Sequence, residues 1–211
     1  MNPDTQSARD DLAFLRSLVD EDWRPGTWAF GAIYVSLGAA LVAHVLISWA
    51  ADAGYLPLSR TGLVVTYVVI YSVASMVWTW IGGHVRRESQ RRGTQVASVK
   101  SRAGGAVLVS AFVGHLVMLG AFVIVAVRQQ DPVFLELAPL VLFTLQSVVW
   151  FVVHAMRQQR WQLVVGWGWL LAVLGLAPLV GTSVFGLGIG ATAVVLMIVP
   201  GAYLMHLAGN A

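Results

Sequence analysis

The side chains with the widest chemical range in this sequence are its five histidines. His44 and His115 fall deep inside uncharged apolar runs, while His84, His154 and His206 sit at the ends of others. Two histidines facing each other across a haem, or three at one depth around a metal ion, would be the corresponding chemistries. At 1.5 Å per helical residue His44 lies roughly 9 Å from the depth of His115. That offset disfavours a shared haem, and each is expected to bond to a neighbouring helix or carbonyl. No carboxylate is close in sequence to the other three, and helix C-termini favour histidine for reasons of dipole alone. No metal site and no cofactor is therefore assigned.

The most polar stretch within an apolar run is Gln146-Ser147, with Thr144 one turn before. Such a stretch can line a solute path or hold helices together by hydrogen bonds. No Asp, Glu, Lys or Arg lies near the middle of any apolar run, and Glu136 is at a margin. A pump working through buried carboxylates is thus disfavoured. The chain has no cysteine, which removes thiolate chemistry and disulfides. It contains no nucleophile elbow, phosphate loop, zinc-protease helix or pair of catalytic carboxylates. No catalytic residue is assigned, and a non-enzymatic role is expected.

The elements that hold these residues follow from charge spacing. Only 11% of the 211 residues are charged, against about a quarter in a soluble domain. Uncharged runs extend over Pro25–Ala51, Thr61–Val85, Ala103–Val127, Leu137–Met156 and Trp161–Ala211. A bilayer core needs roughly 20 apolar residues in helix. The first four runs each cross once; the last, 51 residues long with a turn signal at Ala177–Ser183, crosses twice. These segments lack the polar face of a helix in a soluble core. The expected fold is an all-α bundle of six transmembrane helices over about 27–51, 61–85, 103–127, 134–156, 161–181 and 185–208. Small residues at helical spacing, Gly186, Gly188, Gly190 and Thr192 in the last helix and Ser110 and Gly114 in the third, predict close helix contacts. Pro200 has no N–H for the Leu196 carbonyl, so the last helix should kink or loosen there.

Six of the thirteen basic residues crowd into residues 86–102: Arg86, Arg87, Arg91, Arg92, Lys100 and Arg102. This stretch is expected as a basic loop between the second and third crossings. With Arg9, Arg16, Arg24, Arg157 and Arg160 it places eleven basic residues on one side of the membrane, leaving Arg60 and Arg128 on the other. Basic residues stay cytoplasmic, so both termini are expected inside, with the cluster at anionic headgroups, where each cation is worth about 1 kcal/mol. The loop has no interleaved aromatics for base stacking, so nucleic acid is not the expected partner.

Residues 1–26 form a cytoplasmic tail. Leu12, Leu15, Leu18 and Val19 recur at helical spacing beside Phe14, which predicts a short amphipathic helix over about 7–22, stopped by Pro25-Gly26. Its end, Asp20-Glu21-Asp22, puts negative charge where the helix dipole disfavours it. Pairing with the basic loop would resolve that conflict; two separately solvated charge runs is the alternative.

The segment Asp11-Leu12-Ala13-Phe14-Leu15-Arg16-Ser17-Leu18-Val19-Asp20-Glu21, followed by Gly26, Gly31 and Gly38, resembles a group of uncharacterised bacterial multi-pass inner-membrane proteins with a DLxFLR-type cytoplasmic helix. The sequence departs from the group's basic stretch before the first crossing by carrying Glu21-Asp22-Trp23-Arg24-Pro25. The resemblance implies a bacterial inner-membrane location and transfers no site residues. Three functional readings follow: a membrane scaffold, accessory subunit or sensor acting through its cytoplasmic face; a small-solute or lipid transporter using the polar stretch of the fourth helix; or a cofactor-bearing redox protein. The candidate surfaces are the six basic residues, for anionic lipid or a protein partner (a second copy included), and the intramembrane side chains His44, His115 and Gln146.

Overall fold

The computed structural model describes residues 24–91, 99–131 and 133–210. Every regular element among them is helical: α1 (Arg24–Asp52), α2 (Arg60–Arg91), α3 (Val99–Gln129), α4 (Val133–Arg157), α5 (Arg160–Leu176) and α6 (Val184–Asn210). All six are long and apolar enough to cross a membrane, and the chain is a multi-pass membrane protein. The proposed amphipathic helix over 7–22 lies outside the described residues.

Helix boundaries differ from the sequence expectation where polar residues are good helix formers. α2 runs to Arg91 and α3 starts at Val99, so most of the basic stretch 86–102 is helical rather than loop. Nothing from Arg86 to Arg91 breaks a helix; the first glycine is Gly93. At the other end of the chain's order, Pro25 and Gly26 fall within the first turn of α1, where proline costs no hydrogen bond. α5 ends at Leu176 and tightens into a 3₁₀ turn over Ala177–Leu179. The chain then reverses at Gly181, whose φ of +79° suits a residue without Cβ. The Gly181 N–H donates to Glu136 Oε2 at 2.7 Å, so the carboxylate at the α4 margin ties down that reversal.

Side-chain pairings give the arrangement. α1 is antiparallel to α2 (Trp28 against Trp80 and His84, Ser48 against Tyr67). α1 is also antiparallel to α6, with Gly31 beside Gly201 and Val45 beside Gly186 and Gly190. α4 pairs with α5 through Phe143–Trp169 and Phe151–Trp167, and α5 meets α6 through Trp161–Tyr203. α1 and α4 touch across the middle through Phe30, Tyr34 and Trp150. The core is thus α1, α4, α5 and α6. Its central residues are Tyr34, Trp150, Trp169, Phe143, Ile189 and Met197.

α2 and α3 are outriders. In the most apolar window of each helix, 28–39% of residues are buried in α1, α4, α5 and α6, against 11% in α2 and 6% in α3. α2 leans on α1 and α3 on α4. The two meet at Trp78 and Phe112, with ring centroids 6.1 Å apart. Trp78 Nε1 also donates to Ser36 Oγ of α1 at 2.8 Å. Replacing Trp78 by phenylalanine keeps the ring and removes that bond. The expected loss is about 0.5–1 kcal/mol, read as a small fall in Tm in detergent; a loss as large as that of a core aromatic would contradict the peripheral placement of α2.

The last helix loosens as expected from Pro200. Residues Val194–Ile198 form a π turn between the α segments Val184–Ala193 and Val199–Asn210. A missing donor at Pro200 frees the Leu196 carbonyl, and a widened turn absorbs the defect. The small residues divide by role. Gly186 and Gly190 face Val45 of α1, and Gly188 faces Leu176 of α5. Gly114 of α3 has nothing within 4 Å of a Cβ built on it, so the Ser110/Gly114 pair makes no such contact among the described residues.

Candidate functional site

The candidate residues separate into three clusters rather than one. Deepest is a polar centre in the α1–α4–α5 core. Ten residues into α1, Tyr34 is about 15 Å along the helix from its start at Arg24. α4 runs antiparallel and delivers Gln146 and Trp150, four residues apart on one face, to the same level. Gln146 Nε2 and Trp150 Nε1 both donate to the Tyr34 hydroxyl, the latter at 2.7 Å. The Trp169 indole approaches the same phenol without reaching hydrogen-bond geometry. Trp150 is fully buried and its ring meets Tyr34 edge-on at 5.5 Å.

Gln146 therefore points inward as an interhelical tie. Its neighbour Ser147 is fully buried, and Thr144 is exposed, with its hydroxyl bonded back to Leu140 O at 2.9 Å. The three polar residues of this stretch do not share one face. Ser147 Oγ, Gln162 Oε1 and Trp169 Nε1 are buried without a hydrogen-bond partner. Such groups are costly in a low-dielectric interior. The α4–α5 seam thus holds polarity beyond what its packing uses.

The second cluster lies between α1 and α2. His44 stacks on Tyr67 with centroids 4.0 Å apart and planes within 1°. Tyr71 OH lies 3.3 Å from His44 Nδ1, and Tyr67 OH is 2.6 Å from Ser48 Oγ. Heptad-like spacing is the reason: His44 and Ser48 share an α1 face, as Tyr67 and Tyr71 share an α2 face. Below Tyr71, the outer face of α2 forms an open groove of about 890 Å³ running to Arg87, with Ser72, Ser75 and Thr79 set between Met76 and Trp80. Ser75 and Thr79 bond back to the carbonyls of Tyr71 and Ser75. Their hydroxyl protons are satisfied, and their oxygens still accept.

The third cluster is at the end of the bundle that carries Arg86 and Arg87. Trp80 and His84, one turn apart on α2, stack at 5.7 Å. Trp28 of α1 closes on both, at 6.3 Å from Trp80 and 5.6 Å from His84. Arg86 and Arg87 follow directly, exposed, with Arg87 Nε donating to Gly83 O at 3.3 Å. Arg91, Lys100 and Arg102 lie on the last turn of α2 and the first turn of α3, while Arg92 lies outside the described residues.

His115 stands apart from all three. Its Nδ1 lies 2.7 Å from Ala111 O in its own helix, which leaves Nε2 as the acceptor. His44 and His115 do not meet. The remaining histidines also part company: His154 Nδ1 is 2.9 Å from Gln159 O, and His206 pairs with Asn210. Among the described residues no group of three or more His, Asp or Glu could hold a metal ion.

Sequence reasoning found Gln146 and His44 but missed Tyr34, the hydroxyl that organises the centre. A usable signal existed, since Tyr34 is the one tyrosine in an otherwise apolar first crossing and needs a buried partner. It also missed the Trp28–Trp80–His84 box, reading those tryptophans as separate interfacial anchors. No family model, no curated protein and no solved structure matches this chain, so its function is to be read from its own residues.

Proposed function

We propose that the chain is a non-enzymatic membrane scaffold, accessory subunit or sensor of a bacterial inner membrane, with both termini cytoplasmic and its working surface at the basic end of α2 and α3. The observation that carries this reading is the division of the bundle: a packed core of α1, α4, α5 and α6, with α2 and α3 held to it along one side only. The polar groups of the core are spent on tying helices together. Exposed chemistry collects at the box of Trp28, Trp80 and His84 and at Arg86 and Arg87. With Arg91, Arg92, Lys100 and Arg102 next in sequence, that end suits an anionic headgroup layer or an acidic protein face.

The test compares wild type with an Arg86→Ala/Arg87→Ala/Arg91→Ala variant purified from native membranes in mild detergent. Wild type is expected to bring down a partner protein in fixed stoichiometry, and the variant to lose it at unchanged Tm. A green fluorescent reporter fused after Ala211 should glow, as it does only on the cytoplasmic side. If both proteins purify alone and proteoliposomes move a solute or flip a lipid, the transporter reading takes its place. The groove on α2 favours that second reading in one form, lipid handling, because its hydroxyl-bearing face opens sideways rather than through the bundle.

A further inference from the structure

We infer that the N-terminal segment, residues 1–23, docks on the basic end of α2, against the Trp28–Trp80–His84 box and Arg86 and Arg87. Three observations place it there. First, the segment joins α1 at Arg24, one turn from Trp28, and Trp28 touches both Trp80 and His84 of α2. Because α1 and α2 are antiparallel, the residues of α2 beyond His84 descend beside the start of α1. A chain spans at most about 3.5 Å per residue, so Asp20-Glu21-Asp22 stays within about 14 Å of that start. The acidic run is therefore held at the level of Arg86, Arg87 and Arg91 whatever path the rest takes.

Second, the charges are opposite. Residues 1–23 carry six acidic side chains against Arg9 and Arg16, a net of −4. The surface it faces adds the N-terminal dipole of α1 to the guanidinium groups of Arg86 and Arg87. Asp20-Glu21-Asp22 is unfavourable at the C-terminal end of its own predicted helix but favourable immediately before α1. Third, the apolar chemistry matches. Trp80 is 57% exposed, and the segment brings Leu12, Phe14, Leu15, Leu18 and Val19 at helical spacing. Apolar stripe on indole and acidic end on arginine is one register, not two.

Docking does not depend on the proposed function. Its consequence does: a docked segment shields the basic end from acidic partners and lipid, so a competing anion or raised salt uncovers it.

The absence of cysteine makes the test direct. Glu21→Cys and Gln90→Cys are spin-labelled in nanodiscs of neutral lipid, and the distance distribution is measured by double electron–electron resonance. A single narrow, short distribution is expected. It should broaden severalfold in Arg86→Glu/Arg87→Glu and recover when Asp20→Lys/Asp22→Lys is added. It should also broaden at 1 M salt, where the Debye length is about 3 Å against about 10 Å at 0.1 M. Each variant is checked for unchanged helix content and Tm, and the charge-swap rescue separates docking from folding. A broad distribution in wild type, or one indifferent to charge reversal, overturns the inference. A short distance that vanishes on dilution with unlabelled chain overturns it in favour of a second copy. One that vanishes when anionic lipid replaces neutral lipid assigns the surface to the bilayer instead.

Discussion

Replacing Gly201 by leucine is expected to cost about 3 kcal/mol or more and to part α1 from α6. Overpacking a core typically costs about 1–3 kcal/mol because side chains shift to make room. Here the obstruction is backbone. A Cβ on Gly201 would sit 2.8 Å from the Gly31 carbonyl oxygen and 3.0 Å from the Val35 nitrogen. A Cβ on Gly31 would sit 2.5 Å from the Gly201 carbonyl oxygen. Neither helix can yield by a rotamer change, so the whole contact must open. In a bilayer no hydrophobic force offsets the lost packing, since lipid tails are as apolar as leucine. Controls are built into the chain: Gly114 and Gly120 of α3 have nothing within 4 Å of a built Cβ. Gly114→Leu and Gly120→Leu should stay within about 0.5 kcal/mol of wild type. Thermal unfolding in detergent reads the series; equal losses at Gly201 and Gly114 would contradict the close approach of α1 and α6.

That contact shows where sequence reasoning stops. The six crossings are legible because a bilayer core admits only long, uncharged helices, so charge spacing alone marks Thr61–Val85 or Ala103–Val127 as spans. Partner choice is not. In a soluble helix the polar face says which side is buried. In α1, α3 and α5 the residues are apolar all round, because lipid and protein interior are equally undemanding. Gly31 and Gly201 lie in separate helices, and only the fold makes them neighbours. The same holds for His44, whose predicted hydrogen-bond partner existed but could not be named as Tyr71 from α2. Polar residues at membrane ends mislead in the opposite direction. Arg86 to Arg91 read as loop because they are charged, yet a helix leaving the bilayer needs no apolar face to continue into water.

The core's two kinds of helix contact are also two kinds of constraint. Backbone proximity at Gly31 and Gly201 fixes how near α1 and α6 lie but tolerates sliding. The hydrogen bonds from α4 to Tyr34 fix register, because moving either helix by one residue removes both donors from the phenol. α1 carries both, which is why it can hold the core together while α2 and α3 remain at the side.

The second large effect follows from that register. Tyr34→Phe removes the acceptor for Gln146 Nε2 and Trp150 Nε1 at once. A buried donor left unpaired costs about 1–3 kcal/mol, although interhelical bonds in membranes average nearer about 0.6 kcal/mol because displaced groups find other partners. Trp150 is 0% exposed, and its indole cannot turn to a new acceptor without leaving its contacts with Phe30 and Trp161. The higher range therefore applies to Trp150 and the lower to the flexible Gln146, giving an expected loss of about 2 kcal/mol. Gln146→Leu should cost less, since Tyr34 keeps its bond from Trp150. The double variant Tyr34→Phe/Gln146→Leu should lose less than the sum of the two, as groups sharing one hydrogen-bonded centre couple by about 0.5 kcal/mol or more. Reversible unfolding measured in bicelles gives all three values. Strict additivity would mean that Gln146 and Tyr34 do not share the bond, and that α1 and α4 are held in register by ring packing alone.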